Sequence, residues 1–195
     1  MRRARSLSVV GMLLAGAIGV ISSTQTWIDV TLADGAQQTL AVPGSDAVPV
    51  LTPLSLAALA LGASLSIVGP VLRYVLGAIA LAIAAAVGVA TALVLLTLPV
   101  SATAATVTEA TGISGADAVA DLVASMSLTP WPAVTLLAEL ILAAAAVFTL
   151  VTARNWPGSA GRKYRTAADA PADASRPHDA IDSWDDLSRG DDPTA

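Results

Sequence analysis

Apolar residues along this chain fall into four long runs, at about Leu7–Trp27, Leu51–Val71, Tyr74–Leu98 and Trp131–Thr152. A helix needs about 20 mostly apolar residues to cross the hydrocarbon of a bilayer. Each run meets that length, and together they hold one carboxylate, Glu139, and no Lys or Arg. In lipid every backbone N–H and C=O must be satisfied within its own segment, so the spanning form is helical. The pattern predicts an all-α integral membrane protein with a four-helix transmembrane bundle. A cleaved signal peptide is the alternative for the first run, because Arg2, Arg3 and Arg5 precede it. The run continues to Trp27 without a convincing small-residue cleavage site, and three more follow.

The connections have patterns of their own. In WIDVTLADGAQQTLAVPG, the stretches Trp27–Leu32 and Gln38–Val42 alternate loosely around an Asp34-Gly35 turn signal, which predicts a small β-hairpin. A lone two-stranded hairpin is marginal in water, so it is expected to rest on the helix ends or on the other loop. In the connection 99–130, Gly115–Met126 has helical spacing, with Ala118, Val119, Leu122, Val123 and Met126 on one side. This predicts a short amphipathic helix on the membrane interface, with extracytoplasmic ligand binding as the sharper alternative.

Charge then orients the spans. Arg2, Arg3 and Arg5 precede the first, Arg73 separates the second and third, and Arg154, Arg162, Lys163 and Arg165 follow the fourth. The connections 28–50 and 99–130 carry no Lys or Arg, only acids such as Asp29, Asp46, Glu109 and Asp117. Basic residues stay on the cytoplasmic side. Both termini are therefore expected in the cytoplasm, with the hairpin outside and the chain in the inner (plasma) membrane. Trp27, Trp131 and Trp156 fall near span ends and are read as interfacial anchors.

Composition narrows the chemistry. Charged residues are 13% of the chain and hydrophobic residues 55%, whereas a soluble domain carries about 25% charge. Cysteine is absent and the one histidine is His178, so no metal site or other cofactor is expected. No catalytic triad or phosphate-cradling glycine loop is present, which speaks against an enzyme; no nucleic-acid partner is expected. Glu139 lies eight residues into its span, roughly 12 Å at helical rise. A carboxylate at that depth is a functional hypothesis by default, set against a hydrogen-bonded or neutral glutamic acid inside the bundle. A carrier would need further polar groups, and Ser64, Ser66, Thr91 and Thr135 are those the spans offer. Ala15/Gly19 and Ala84/Gly88 have the spacing that lets helices approach closely.

After the bundle, 1–153, come a basic-then-acidic linker, 154–178, and an acidic tail, 179–195. From Ala167 onward there are eight Asp and two Arg, a net charge of −6, and almost no large apolar residue. Such a segment is expected to be disordered on its own. Within it Ile181, Trp184 and Leu187 recur every three residues, between Asp179 as a cap and Gly190 as a stop. That spacing suits a docking helix that folds against a cytoplasmic partner; a plain solubilising tail is the other reading.

Four places carry a resemblance: TQTW closing the first span, Pro130-Trp131-Pro132 opening the fourth, RNWPGSAGRKYR after it and SWDDLSRGDDPT at the end. In these the chain resembles the tryptophan-biosynthesis-associated membrane proteins of high-GC Gram-positive bacteria. Glu139, in a span normally apolar in that family, and Lys163, within the Arg-Tyr pattern, depart from it. The family is named for gene association and supplies no catalytic or ligand residues to carry over. The tail's spacing and the lack of a catalytic site lead to a non-enzymatic accessory or scaffold protein expected to dock a cytoplasmic partner through Ile181, Trp184 and Leu187; the resemblance implies that this partner is an enzyme of tryptophan synthesis. The alternatives are a small transporter or exporter of tryptophan or a related aromatic compound, and a purely structural bundle.

Overall fold

The computed structural model describes residues 2–33 and 39–156. The Asp34-Gly35 turn, the basic residues Arg162, Lys163 and Arg165, and the motif Ile181, Trp184 and Leu187 lie outside the described residues. Helix α1 spans Arg2–Ser23 and is followed by β1 (Thr26–Leu32), β2 (Thr39–Pro43) and a single helical turn, α2 (Gly44–Ala47). Next come α3 (Leu51–Leu65), α4 (Pro70–Thr97), α5 (Ala104–Thr111), α6 (Ala116–Leu122), β3 (Val123–Leu128) and α7 (Trp131–Thr152). Three helices, α1, α4 and α7, are long and apolar enough to cross a membrane, whereas α3 has 15 residues.

The apolar run expected at Leu51–Val71 is divided. Pro70 has no N–H to continue a helix and pushes the residue before it toward extended backbone. Gly69 accordingly sits at φ −73°, ψ 174° and Pro70 opens α4 at its first position, a favoured place for proline. At the other end Leu98 adopts φ 40° and Pro99 follows, which stops the helix.

The helices are arranged with α1 packed along both α3 and α7, and with α7 packed along α4. Consecutive α3 and α4 touch each other far less. The interior of α4 is lined by small and β-branched residues, among them Gly77, Ala80, Ala84, Val87 and Thr91. Its outward face carries Val71, Ile79, Val89, Leu93 and Leu96. Small residues inside and large apolar ones outside is the reverse of a soluble bundle and suits helices that associate in lipid. On α1, Gly16 and Gly19 meet α3 so closely that a Cβ at Gly16 would lie 2.9 Å from Ser55 O and Leu59 Cγ, and one at Gly19 would collide with Ser55 Oγ.

The connections build a small folded cap. β1 is the centre of a three-stranded antiparallel sheet, order β2-β1-β3. Where the helical spacing of Gly115–Met126 predicted one helix, α6 stops at Leu122 and the chain turns into β3. The competing pattern is the alternation of Val123, Met126 and Leu128 with Ser125 and Ser127 across one bulge. It places Leu128 beside Ile28, Met126 beside Val30 and Val123 beside Leu32, while Val42 and Leu40 flank the first two from β2. One face of the sheet is thus apolar and joins a buried cluster with Val107 of α5 and Val119 of α6. A third strand and a helical cover resolve the instability of a bare hairpin.

Candidate functional site: polar groups within the bundle

Where α1 ends and the sheet begins, Trp27 turns back toward the helix end. Its Nε1–H donates to Ser22 O and to Ser22 Oγ, each at 3.0 Å. Ser22 Oγ lies 2.6 Å from Thr135 Oγ1 of α7. Thr135 spends its one hydroxyl proton on Trp131 O at 3.1 Å, so Ser22 is the donor between them. Donation runs from Trp27 to Ser22 to Thr135 and ends on the accepting Trp131 O, and every hydroxyl in the chain is satisfied. Gly44 makes room for it: a Cβ there would stand 2.6 Å from Trp27 Nε1.

One turn farther along α7, Glu139 is 4% exposed and its Oε2 has no hydrogen-bond partner. It faces α4 at Gly88, where an added Cβ would come within 3.8 Å of Glu139 Cβ. Because α7 runs away from the cap, the carboxyl leans back toward Thr135, as helical side chains tilt to their N-terminus. Thr91, one turn beyond Gly88, leans the opposite way along α4 by the same rule. Its hydroxyl is fully buried and also has no hydrogen-bond partner. A carboxyl on α7 and a hydroxyl on α4 are thus both buried and without a hydrogen-bond partner, with Gly88 set against the first of them. Ser55 of α3 contributes another buried hydroxyl without a hydrogen-bond partner, against Gly19. Of the other polar residues in the spans, Ser64 and Ser66 are exposed and away from this site.

The opposite end of the bundle holds the one cation among the described residues of α4. Arg73 is 1% exposed and its guanidinium stands 5.4 Å from the centroid of the Trp156 ring. Trp156 Nε1–H in turn donates to Thr152 Oγ1 at 3.0 Å, and Thr152 to Phe148 O at 2.6 Å. The tryptophans read as interfacial anchors thus have individual placements. Trp27 is wholly enclosed, Trp156 is nearly so over Arg73, and Trp131 is half-buried at the start of α7. Spacing alone could not reveal the first two, because their partners Ser22, Gly44 and Arg73 are fixed by tertiary packing.

No group of three or more metal-ligating side chains occurs among the described residues. Among the described residues, a groove of about 240 Å³ is lined by Val100, Ser101, Ala104, Thr108 and Val119 in the cap, and another of about 410 Å³ by Leu7, Ser8, Gly11, Ile141 and Phe148 between α1 and α7.

Comparison with protein families finds a match to the model described as tryptophan-associated transmembrane protein, over residues 9–194. Comparison with curated proteins and with solved structures finds no match.

Proposed function

Starting from the chain's membership of the tryptophan-associated transmembrane protein family, we propose that it is a non-enzymatic accessory protein of the plasma membrane. In this reading it crosses the bilayer by its four helices with both termini in the cytoplasm. It holds a cytoplasmic partner, an enzyme of tryptophan synthesis, through Ile181, Trp184 and Leu187. The observation that carries the reading is the packing of the bundle. α1 meets α3 at Gly16 and Gly19, α1 meets α7 at Gly11, and α4 meets α7 at Gly77, each with too little space for another Cβ without movement. Interfaces so close resist sliding, as close-packed interiors do. They make a fixed anchor whose working part lies outside the bundle.

The test is quantitative co-purification from gently solubilised membranes, comparing the intact chain, a chain truncated before Pro177 and Trp184→Ala. Capture of a tryptophan-synthesis enzyme by the intact chain alone supports the reading. Undiminished capture by the other two removes the tail from it.

A second reading is favoured by Glu139 and Thr91, both buried and without hydrogen-bond partners on facing helices. A small carrier for tryptophan or a related aromatic compound would use such groups to hold or couple its cargo. It requires that Glu139→Gln change uptake or efflux of labelled tryptophan and that tail truncation leave flux unaltered. The anchor reading requires instead that Glu139→Gln leave partner capture unaltered and that tail truncation abolish it.

A further inference from the structure

The helix register places three arginines at one end of the bundle. On α4 and α7, Gly77 lies against Leu150 and Gly88 against Glu139, so the antiparallel pair extends to bring Arg73 level with Arg154. On α1 and α7, Gly11 lies against Ala145 and Ser22 bonds Thr135, which carries Arg5 to within about one turn of that level. Both α1 and α4 begin at this end. Helical side chains lean toward their own N-terminus, so Arg5 and Arg73 lean the same way, toward the end of the bundle. Arg5 is near enough for its charge to act on that of Arg73. Arg73 is enclosed with Trp156, whereas Arg5 is half-buried and Arg154 exposed.

No carboxylate among the described residues stands at this end. Those present lie in the cap, except Glu139, which is roughly 20 Å along α7 from Arg154. The start of α4 adds to the positive potential. Its cap position makes no side-chain bond, Pro70 carries no N–H, and the N–H groups of Val71 and Leu72 have no acceptor within the helix. Donors at the positive end of a 28-residue helix favour an anion.

A groove leads away from the arginines. It runs between α1 and α7, with Leu7, Ile141 and Phe148 as exposed apolar walls and Gly11 and Ala145 between them. Ser8 belongs to the same lining, one turn from Arg5; it is 1% exposed and its Oγ has no hydrogen-bond partner. An anionic head, an oxygen acceptor one turn deeper and an apolar chain beyond it are the parts of an anionic phospholipid. A free phosphate supplies only the first.

We propose that this end of α1, α4 and α7 binds an anionic phospholipid, with its phosphate at Arg5, Arg154 and the start of α4 and an acyl chain in the groove between α1 and α7. Arg73, held over Trp156, is a fixed charge behind the site. Basic pockets between spanning helices hold anionic head groups in this way. The site requires neither a particular orientation in the membrane nor a partner on the tail.

Trp156 reports on the site in the full chain carrying Trp27→Phe, Trp131→Phe and Trp184→Phe. Phosphatidylglycerol or phosphatidylcholine, each brominated on its chains near the ester, is titrated into vesicles of unlabelled phosphatidylcholine, and quenching of Trp156 is followed. One cation near the surface favours an anionic lipid about fivefold, so the two accessible arginines are expected to give phosphatidylglycerol an advantage of about twentyfold. Arg5→Gln and Arg154→Gln should each lower that advantage about fivefold and leave quenching by phosphatidylcholine unchanged. Equal quenching by the two lipids overturns the proposal and means that another anion, such as an acidic segment of the chain, neutralises the arginines. An advantage that both substitutions leave intact overturns it as well. So does loss of the advantage to inorganic phosphate, but not to chloride at equal ionic strength, because the site then takes a free anion.

Discussion

Trp27 ties together α1, β1, the start of α2 and α7 at one point, through the Ser22–Thr135 hydroxyl pair and the space left by Gly44. Replacing it by Phe keeps the ring and removes the donor, leaving Ser22 without its indole partner. The expected cost is about 1 kcal/mol, read as a lower midpoint in denaturant titration of the detergent-solubilised protein. Gly44→Ala should cost about 1–3 kcal/mol, because the new methyl must displace the indole. Thr91 and Thr135 make a controlled contrast within one bundle. Both are fully buried, but Thr135 sits in a satisfied chain of hydroxyls and Thr91 does not. Thr135→Val leaves Ser22 without its acceptor and should destabilise by about 0.5–1.5 kcal/mol, whereas Thr91→Val removes a hydroxyl without a partner and should be neutral or stabilising. If both substitutions cost the same, the distinction between the two sites is wrong. Glu139 stood out in the sequence because a carboxylate in an apolar run is conspicuous by itself. Its position against Gly88 depended on the register of α4 against α7, which no periodicity within either helix encodes.

At the scale of elements, the cap and the junction of α3 with α4 show where local pattern stops being decisive. Val123 and Met126 fit the apolar side of a helix through Gly115–Met126 and also fit a strand. Pairing with β1 settles the choice, because only there do they meet Leu32 and Val30. Val30 is fully buried between Leu40 and Met126. Val30→Asp should therefore unfold the sheet, at roughly 3 kcal/mol or more for an unpaired buried charge. Limited proteolysis of intact membranes should then cut the cap while α1, α4 and α7 stay protected; an uncut cap refutes the central position of β1. At the start of α4, Arg73→Gln removes the guanidinium from Trp156 and should loosen the contact of α4 with the end of α7. A cation over an aromatic face contributes about 0.5–2 kcal/mol. The change should be visible as altered Trp fluorescence in a variant in which Trp156 is the sole tryptophan. The hairpin strands were legible from their alternation, and the division of the second apolar run was signalled by Gly69-Pro70. The shortness of α3 relative to α1 emerged only when their contacts fixed a common register.

For the whole molecule, the proposed orientation makes a direct prediction. A reporter active only outside the cytoplasm should be active when inserted between Gly112 and Gly115, both glycines at positive φ in an exposed turn, and inactive when fused after Trp156. Activity at the second position reverses the topology. The sequence by itself determined that this is a helical membrane protein, which family it belongs to, and that its basic residues gather at one set of span ends. These follow from composition and order along the chain, because transfer from water to lipid acts on each segment almost independently. Tertiary structure alone decided that a third strand completes the hairpin. It also enclosed Trp27 and set Glu139 against Gly88 of α4, and it ended α3 part of the way along α1. Each of those depends on a close approach between segments distant in sequence, made possible by a missing side chain at Gly19, Gly44 or Gly88, and the identity of the opposing residue cannot be read from either segment alone.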